Sequence, residues 1–429
     1  MNRSQQGLWY RVLGLPLARV TVFSAALACG LPQSAVAASG IVIAHEIAAR
    51  LTVEQATAYR TYLTNRADFE RQQQIYWKLV EERREFRRHK YATRQPFVPA
   101  DYVLEQPPKY TGPPLPPDIA AILASVAQAQ PTPAEPEKQM PALADFLGQA
   151  RAVYNFTPER ISEHEFKRRY AADALASGLS KDQVVRVYAL ETGGRGTYDM
   201  QAGIDPDTKQ GRVISSAMGY AQLLSANSVN ELVLHGDRFI ARLDGLNTPS
   251  AHAKADVLRA MHKAARSVPN EWRIHQQFAQ TPEGQGIHAI NLDADVGPWL
   301  QVLKLKGLLE TAAKEAGRTS LSGAELELMN LAGPRTGLEM MQPVGRTVPT
   351  ANFFAEGGYY RNSIVRDKIG AQLLAAIDER MQAGLTKPGS LDFALAFDEV
   401  ASGLPSRQAR AQRDVPDPPF GVGLFGAGR

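Results

Sequence analysis

The sequence predicts a mainly α-helical protein, and three observations carry that prediction. Apolar residues recur at helical spacing over 53–91. A capping signal opens, and paired glycines close, a short helix at 180–194. Strand-like alternation is nearly absent between 142 and 400. An apolar content of 44% and a charged content of 21% are ordinary for a chain that buries a core. At 429 residues the chain has room for one large domain or two modest ones.

The first element is a secretory signal. Arg3, Arg11 and Arg19 are the only charged residues before Glu46. An apolar run follows from Val20 to Leu31, and then a small-x-small pattern at Ala35-Val36-Ala37. The run is short for a bilayer span, which needs roughly 20 residues. Cleavage after Ala37 is the expectation; a retained anchor and lipidation at Cys29 are the alternatives. Cleavage removes the single cysteine, which suits an oxidising compartment. It also takes away Arg3, Arg11 and Arg19, leaving 45 basic against 44 acidic residues, so the net charge falls from +4 to +1. No nucleic-acid partner is expected at that balance. The destination is the periplasm or cell envelope.

Residues 38–94 form an N-terminal helical region, dominated by a predicted helix over 53–91. Its stripe is Tyr59, Tyr62, Leu63, Phe69, Tyr76, Leu79, Val80 and Phe86, with Arg, Glu and Gln on the other faces. A stripe this narrow serves either for packing on a neighbouring element or for docking a cell-envelope protein partner. Residues 95–141 carry twelve prolines, among them Pro107, Pro108, Pro113, Pro114, Pro116 and Pro117. This segment reads as an extended linker with one short helix near 119–129. Residues 142–400 form a helical domain. The Pro- and Gly-rich segment 401–429 reads as a tail.

Chemistry concentrates in Ser180-Lys-Asp-Gln-Val-Val-Arg-Val-Tyr-Ala-Leu-Glu191-Thr-Gly193-Gly194. Ser180 and Gln183 make a capping box, and the glycines accept a left-handed stop. Val184, Val187, Tyr188 and Glu191 then share one face, with Glu191 in the last turn. Apolar surroundings and the negative end of the helix dipole both favour a neutral carboxyl, the form that donates a proton.

After an irregular loop comes Ala217-Met218-Gly219-Tyr220-Ala221-Gln222-Leu223. Together with Glu191-Thr192-Gly193, this segment resembles the soluble lytic transglycosylases and the related goose-type lysozymes. There a catalytic Glu closes a helix, and a Gly-Ala-x-Gly-Leu-Met-Gln-Leu segment lines the sugar cleft. Asn330-Leu331-Ala332-Gly333-Pro334 resembles the family's Tyr-Asn-Ala-Gly-Pro but departs at its first two positions. Glu356-Gly-Gly-Tyr359-Tyr360 resembles Glu-Thr-x-x-Tyr.

The resemblance implies a lysozyme-like helical domain over 142–400 that acts on peptidoglycan glycan strands, with no metal and no cofactor. It implies Glu191 as catalytic acid. Met218, Gly219, Tyr220, Gln222, Asn330 and Tyr360 become the candidate substrate-binding residues, with Tyr360 close to Glu191. The expected reaction cleaves the bond between N-acetylmuramic acid and N-acetylglucosamine and leaves 1,6-anhydro-muramyl ends. The segment between Glu191 and Gln222 is longer than in the family and holds Asp199, Asp205 and Asp207. A lysozyme-type hydrolase that draws a second carboxylate from the 199–207 loop is therefore an alternative. A non-catalytic peptidoglycan-binding scaffold is another.

Other signals fail on spacing. His45-Glu46 and His164-Glu165 lack a second His four residues on. Gly421-Val-Gly423-Leu-Phe-Gly426 has the letters of a dinucleotide fingerprint but no helix after it. Trp272 and Trp299 read as core residues rather than sugar platforms.

Overall fold

A computed structural model describes residues 49–129 and 140–404. The expected signal at 1–37, Cys29 and nearly all of the 401–429 tail lie outside the described residues. Within them the protein is mainly α-helical, 67% helix with no strand. Among the described residues no helix is long and apolar enough to cross a membrane.

In chain order the helices are α1 (Val53–Ala92), α2 (Pro117–Ala129), α3 (Leu143–Tyr154), α4 (Glu163–Ala176), α5 (Lys181–Glu191) and α6 (Ser225–Gly245). Then follow α7 (Pro249–Ala265), α8 (Trp272–Phe278), α9 (Pro282–His288), α10 (Gly297–Ala316) and α11 (Gly323–Ala332). The last are α12 (Pro334–Met341), α13 (Pro343–Thr347), α14 (Glu356–Arg361), α15 (Gly370–Leu385) and α16 (Pro388–Ala401).

The described chain divides into two compact units. One gathers residues 49–129 and 340–373; the other gathers 140–339 and 374–404. Residues 340–373, which the sequence placed inside the 142–400 domain, thus group with the long N-terminal helix.

In the first unit α1 starts on a Thr52–Gln55 capping box, which pairs two backbone N–H groups at the helix start. Its buried face keeps Tyr76 and Val80 of the predicted stripe and departs from it elsewhere. Tyr76, Trp77, Val80, Arg87 and Lys90 are buried, whereas Leu63, Leu79 and Phe86 are exposed. The reason is polar. The Arg87 guanidinium donates to the carbonyls of Asp101 (3.1 Å) and Asn352 (2.8 Å) and stacks 4.3 Å from the Tyr102 ring. Apolar periodicity gives no hint that an arginine faces inward.

The Pro-rich stretch is not a free spacer over its described part. Tyr102, Val103 and Pro107 are buried. The Tyr76 hydroxyl donates to the Glu105 carbonyl, and the Asn352 side chain both accepts from Val103 N–H and donates to Val103 C=O. Apart from one 3-10 turn at Pro99–Asp101 the prolines leave this stretch irregular but packed: side chains and carbonyls of α1 and of 349–354 satisfy its backbone. The short helix expected near 119–129 is present as α2.

In the second unit α3, α6, α7, α9 and α10 enclose an apolar core around Val229, Leu232, Phe239, Leu258, Met261, Ile287, Ile290 and Leu300. A second cluster is aromatic. Tyr220 lies edge-on to Tyr188 at 5.1 Å and against Phe393 at 5.2 Å, and Phe166 stacks on Tyr198 at 4.3 Å. Burying such rings contributes both area and oriented quadrupoles. This cluster joins α4, α5, α16 and the 198–220 segment, and so sets the end of α5.

Candidate functional site

The helix that carries Glu191 forms as its sequence predicts. Ser180 accepts from Gln183 N–H and Gln183 answers to Ser180 N–H, the reciprocal capping box. The Gln183 amide also donates to the Leu321 carbonyl at 2.8 Å, which ties the start of α5 to the entry of α11. At the other end Glu191 is the last helical residue. The Thr192 hydroxyl donates to the Tyr188 carbonyl at 2.8 Å, and Gly193 and Gly194 follow with φ of 64° and 71°. Gly194 has a steric reason as well: a Cβ there would lie 2.3 Å from the Gly384 carbonyl oxygen on α15.

Glu191 is half-buried, between the interior and solvent. The Asn330 amide reaches it from α11, donating from Nδ2 to Glu191 Oε1 at 3.1 Å. The same Nδ2 donates to Glu327 Oε2 at 3.2 Å. The shared amide sets the two carboxyls side by side, close enough for the charge of Glu191 to bear on Glu327. Two carboxylates placed this close repel, which favours a proton kept on one of them. Glu327 is 2% exposed. Its burial and then the adjacent Glu191 carboxyl push it well above the usual carboxylate range. The Asn330 hydrogen bond and the Lys304 charge oppose that shift without cancelling it.

Two more charged groups complete the cluster. Lys304 on α10 is pushed down to about 8 by burial, against the attraction of Glu191, Glu327 and Glu231. By surface area Lys304 is only partly buried, so its head keeps some access to water. Glu231 on α6 is pushed up to about 7 by burial, opposed by the Asn230 hydrogen bond and the Lys304 charge. Three carboxyls thus face one ammonium across α5, α6, α10 and α11. Burial of three carboxyls around one ammonium favours proton retention by the carboxyls that it does not balance. A partly exposed carboxyl backed by groups titrating near neutrality is the arrangement general acid–base chemistry requires.

The candidates from the 217–223 segment sit in a tight turn. Met218 and Leu223 exchange both backbone hydrogen bonds, at 3.0 and 2.9 Å, around Gly219–Gln222. Gly219 is left-handed, and a Cβ on it would lie 2.5 Å from the Gln301 amide nitrogen, so only glycine fits. Met218 and Tyr220, expected to offer surfaces to sugar rings, do not. They are 0% and 1% exposed. The Tyr220 ring is held in the aromatic cluster and its hydroxyl donates to Glu163. Their part is to brace the turn from below. Gln222 is 4% exposed and left-handed at φ 43°, and its amide donates to the Gly219 carbonyl at 2.8 Å. The partners that a buried Gln requires thus come from its own turn.

Tyr360 belongs to the other unit. Its hydroxyl accepts from the Gln73 amide at 2.9 Å, and its ring lies edge-on to Trp77 at 5.7 Å.

Comparison with known proteins adds no relative: no family model, no curated protein and no solved structure matches the chain. The site therefore has to be read from its own groups.

The aspartates of the long loop are each engaged locally. Asp199 pairs with Arg160 at 2.5 Å and accepts from the Thr197 hydroxyl at 2.6 Å. Burial raises Asp199, but the Thr197 hydrogen bond and the Arg160 charge outweigh it and hold the group below its usual range. Asp205 accepts from the N–H groups of Asp207 and Thr208, a turn built on its side chain. Asp207 pairs with Arg195 at 2.5 Å. The carboxyl that joins Glu191 is instead Glu327, which sequence reasoning missed. A signal was present: Gly323–Ala332 is apolar on nearly every face, and Glu327 sits one turn before Asn330 inside it. A Glu in such a helix has to find a partner or keep its proton.

His164, singled out for the Glu beside it, has both ring nitrogens occupied, by Asp392 at 2.7 Å and Glu399 at 3.0 Å. Trp299 packs edge-on to Phe239 at 4.6 Å under the guanidinium of Arg242. Among the described residues no group of His, Cys, Asp and Glu is arranged to hold a metal ion.

Proposed function

We propose that this protein is an exported peptidoglycan glycosidase in which Glu191 is the proton donor, working as a lytic transglycosylase. The observation that carries the reading is the setting of Glu191: a half-exposed carboxyl at a helix end, held by an Asn330 amide that it shares with a second, buried carboxyl. The resemblance of the Glu191 and Gln222 segments to that family supplies the substrate class.

In the proposed reaction Glu191 protonates the oxygen that links N-acetylmuramic acid to N-acetylglucosamine. The C–O bond breaks and the leaving sugar departs as an alcohol. The substrate's N-acetyl group stabilises the cationic centre. The muramic 6-hydroxyl then closes on the anomeric carbon and returns its proton to Glu191, so the enzyme ends as it began. No water is consumed.

What favours the transglycosylase over the hydrolase is that Asp199, Asp205 and Asp207 are engaged by local partners and that Glu327 is buried. An inverting hydrolase keeps its carboxyls roughly 6.5–9.5 Å apart to admit a water, and a retaining one about 5–5.5 Å apart. Glu327 is 2% exposed and shares the Asn330 amide nitrogen with Glu191, so it offers no solvent-reached face at which a water could be activated. Glu327 is thus unsuited to be a water-activating base.

Digestion of purified peptidoglycan by wild type and Glu191→Gln tests the proposal. Loss of the general acid costs about 10²–10⁴-fold in rate. Clearing by wild type and not by the variant supports an enzyme. Failure of wild type to release any product from several cell walls would return the protein to the class of binding scaffolds.

A further inference from the structure

We propose that Glu327 is the proton-holding partner of Glu191, set in place by Asn330, so that the two carboxyls act as one acid with a single shared proton. This deepens the glycosidase reading and rests on it for its catalytic meaning.

Three observations support the pairing. The Asn330 amide nitrogen spans both carboxyls, at 3.1 Å to Glu191 and 3.2 Å to Glu327. It has two hydrogens and so serves both at once. Glu327 is closed off from solvent while Glu191 is not, so only Glu191 can reach a substrate oxygen. The charged groups facing the pair come from every helix around it. Lys304 faces it from α10, Glu231 stands behind Lys304 on α6, and Asn330 shares α11 with Glu327. A second proton on the pair would cost it the attraction of Lys304. Loss of the last proton would set two carboxylates side by side in a buried place.

The proton balance follows. At rest Glu327 holds the proton and its O–H points to the Glu191 carboxylate. When substrate displaces water from Glu191, ionised Glu191 becomes the costlier state and the proton passes to it. Glu191 delivers that proton to the leaving oxygen, and the incoming 6-hydroxyl returns one. Glu327 never touches the sugar; it is a positioning residue that keeps Glu191 charged with a proton at neutral pH.

The test uses the full-length protein and two readouts. Glu327→Gln keeps the side-chain shape and an oxygen for Asn330 but removes the shared proton. On peptidoglycan we expect kcat to fall 10-fold or more with KM within twofold, and the alkaline limb of the pH–rate profile to move down by at least one pH unit. Lys304→Met removes the opposing cation, so the same limb should move up. Carbon-13 NMR titration of glutamate carboxyls, with Glu191→Gln to assign the resonance, reads the pairing without any turnover. Glu191 should titrate in two steps in wild type and in one step in Glu327→Gln. An unchanged Glu191 titration in Glu327→Gln overturns the pairing, whatever the enzyme does. So does a loss of activity with an unmoved pH limb in a folded variant. Two-step titration in a protein that cleaves no peptidoglycan keeps the pairing and refutes the glycosidase reading alone.

Discussion

Replacing Glu231 with Gln makes the protein more stable at pH 8 than the wild type, by an amount the structure lets us work out. Burial pushes the Glu231 carboxyl up to about 7 from its ordinary 4.5. A carboxyl with a raised folded-state value binds its proton more tightly in the folded chain than in the unfolded one. Its contribution is therefore fully present below about pH 4.5 and is lost as pH rises through about 7. Each unit of displacement corresponds to about 1.4 kcal/mol, so ionising Glu231 in place costs roughly 3 kcal/mol by pH 8.

Glutamine has nearly the same shape and does not ionise, so the variant escapes that cost. Part of the gain is returned, because Lys304 loses one of three carboxylates that help keep it charged. A net gain of about 1–3 kcal/mol remains, which moves the melting midpoint of a domain of this size by roughly 2–4 °C per kcal/mol. The assay is thermal unfolding by circular dichroism from pH 5 to pH 8, with wild type and variant side by side. The difference in midpoint should open as pH rises. A difference that is the same at pH 5 and pH 8 refutes the account of Glu231 as a buried, reluctantly ionised acid.

Two further variants test how the units are held. Gly194→Ala adds a methyl 2.3 Å from the Gly384 carbonyl on a left-handed backbone. The conformation costs about 1–2 kcal/mol and the overpacking roughly 1–3 kcal/mol, read as a lowered denaturation midpoint with Gly193→Ala as the milder control. In the other unit Asp101→Asn leaves the Lys90 ammonium without the carboxylate that meets it at 2.7 Å. Breaking a buried pair on one side costs about 3–5 kcal/mol. Burial raises Asp101, but Lys90 and the Val98 N–H outweigh it and hold the carboxyl low, so this contribution is present above about pH 4 and fades as pH falls below it. Proteolysis near 95–116 should accelerate in that variant at pH 7.

Where the sequence spoke clearly, it spoke through backbone chemistry. The Ser180–Gln183 box and the glycines after Glu191 are short-range devices whose meaning does not depend on the rest of the fold. The helical class and the end of α5 were legible for that reason.

The misreadings share a different cause. Tyr220 and Met218 resemble cleft residues by motif, yet tertiary packing buries both, Tyr220 against Phe166, Tyr188 and Phe393. The prolines of 95–116 exclude helix and strand, but sequence does not reveal that α1 and Asn352 supply partners for the irregular backbone. Glu327 was hidden by distance along the chain: 136 residues separate it from Glu191, and only the packing of α5 on α11 brings them together. Asn330 was found through a motif that it matches imperfectly, and its bond to Glu191 gives it a role that does not depend on that match.

The central claim is that Glu191 alone delivers the proton, with Glu327 behind it and no activated water. Mass spectrometry of muropeptides released by wild type measures this directly. The account predicts 1,6-anhydro-muramyl ends, 18 Da lighter than their hydrated counterparts (one water, the co-substrate that a transglycosylase does without), and no oxygen-18 uptake from labelled water. Reducing ends carrying oxygen-18 would contradict it.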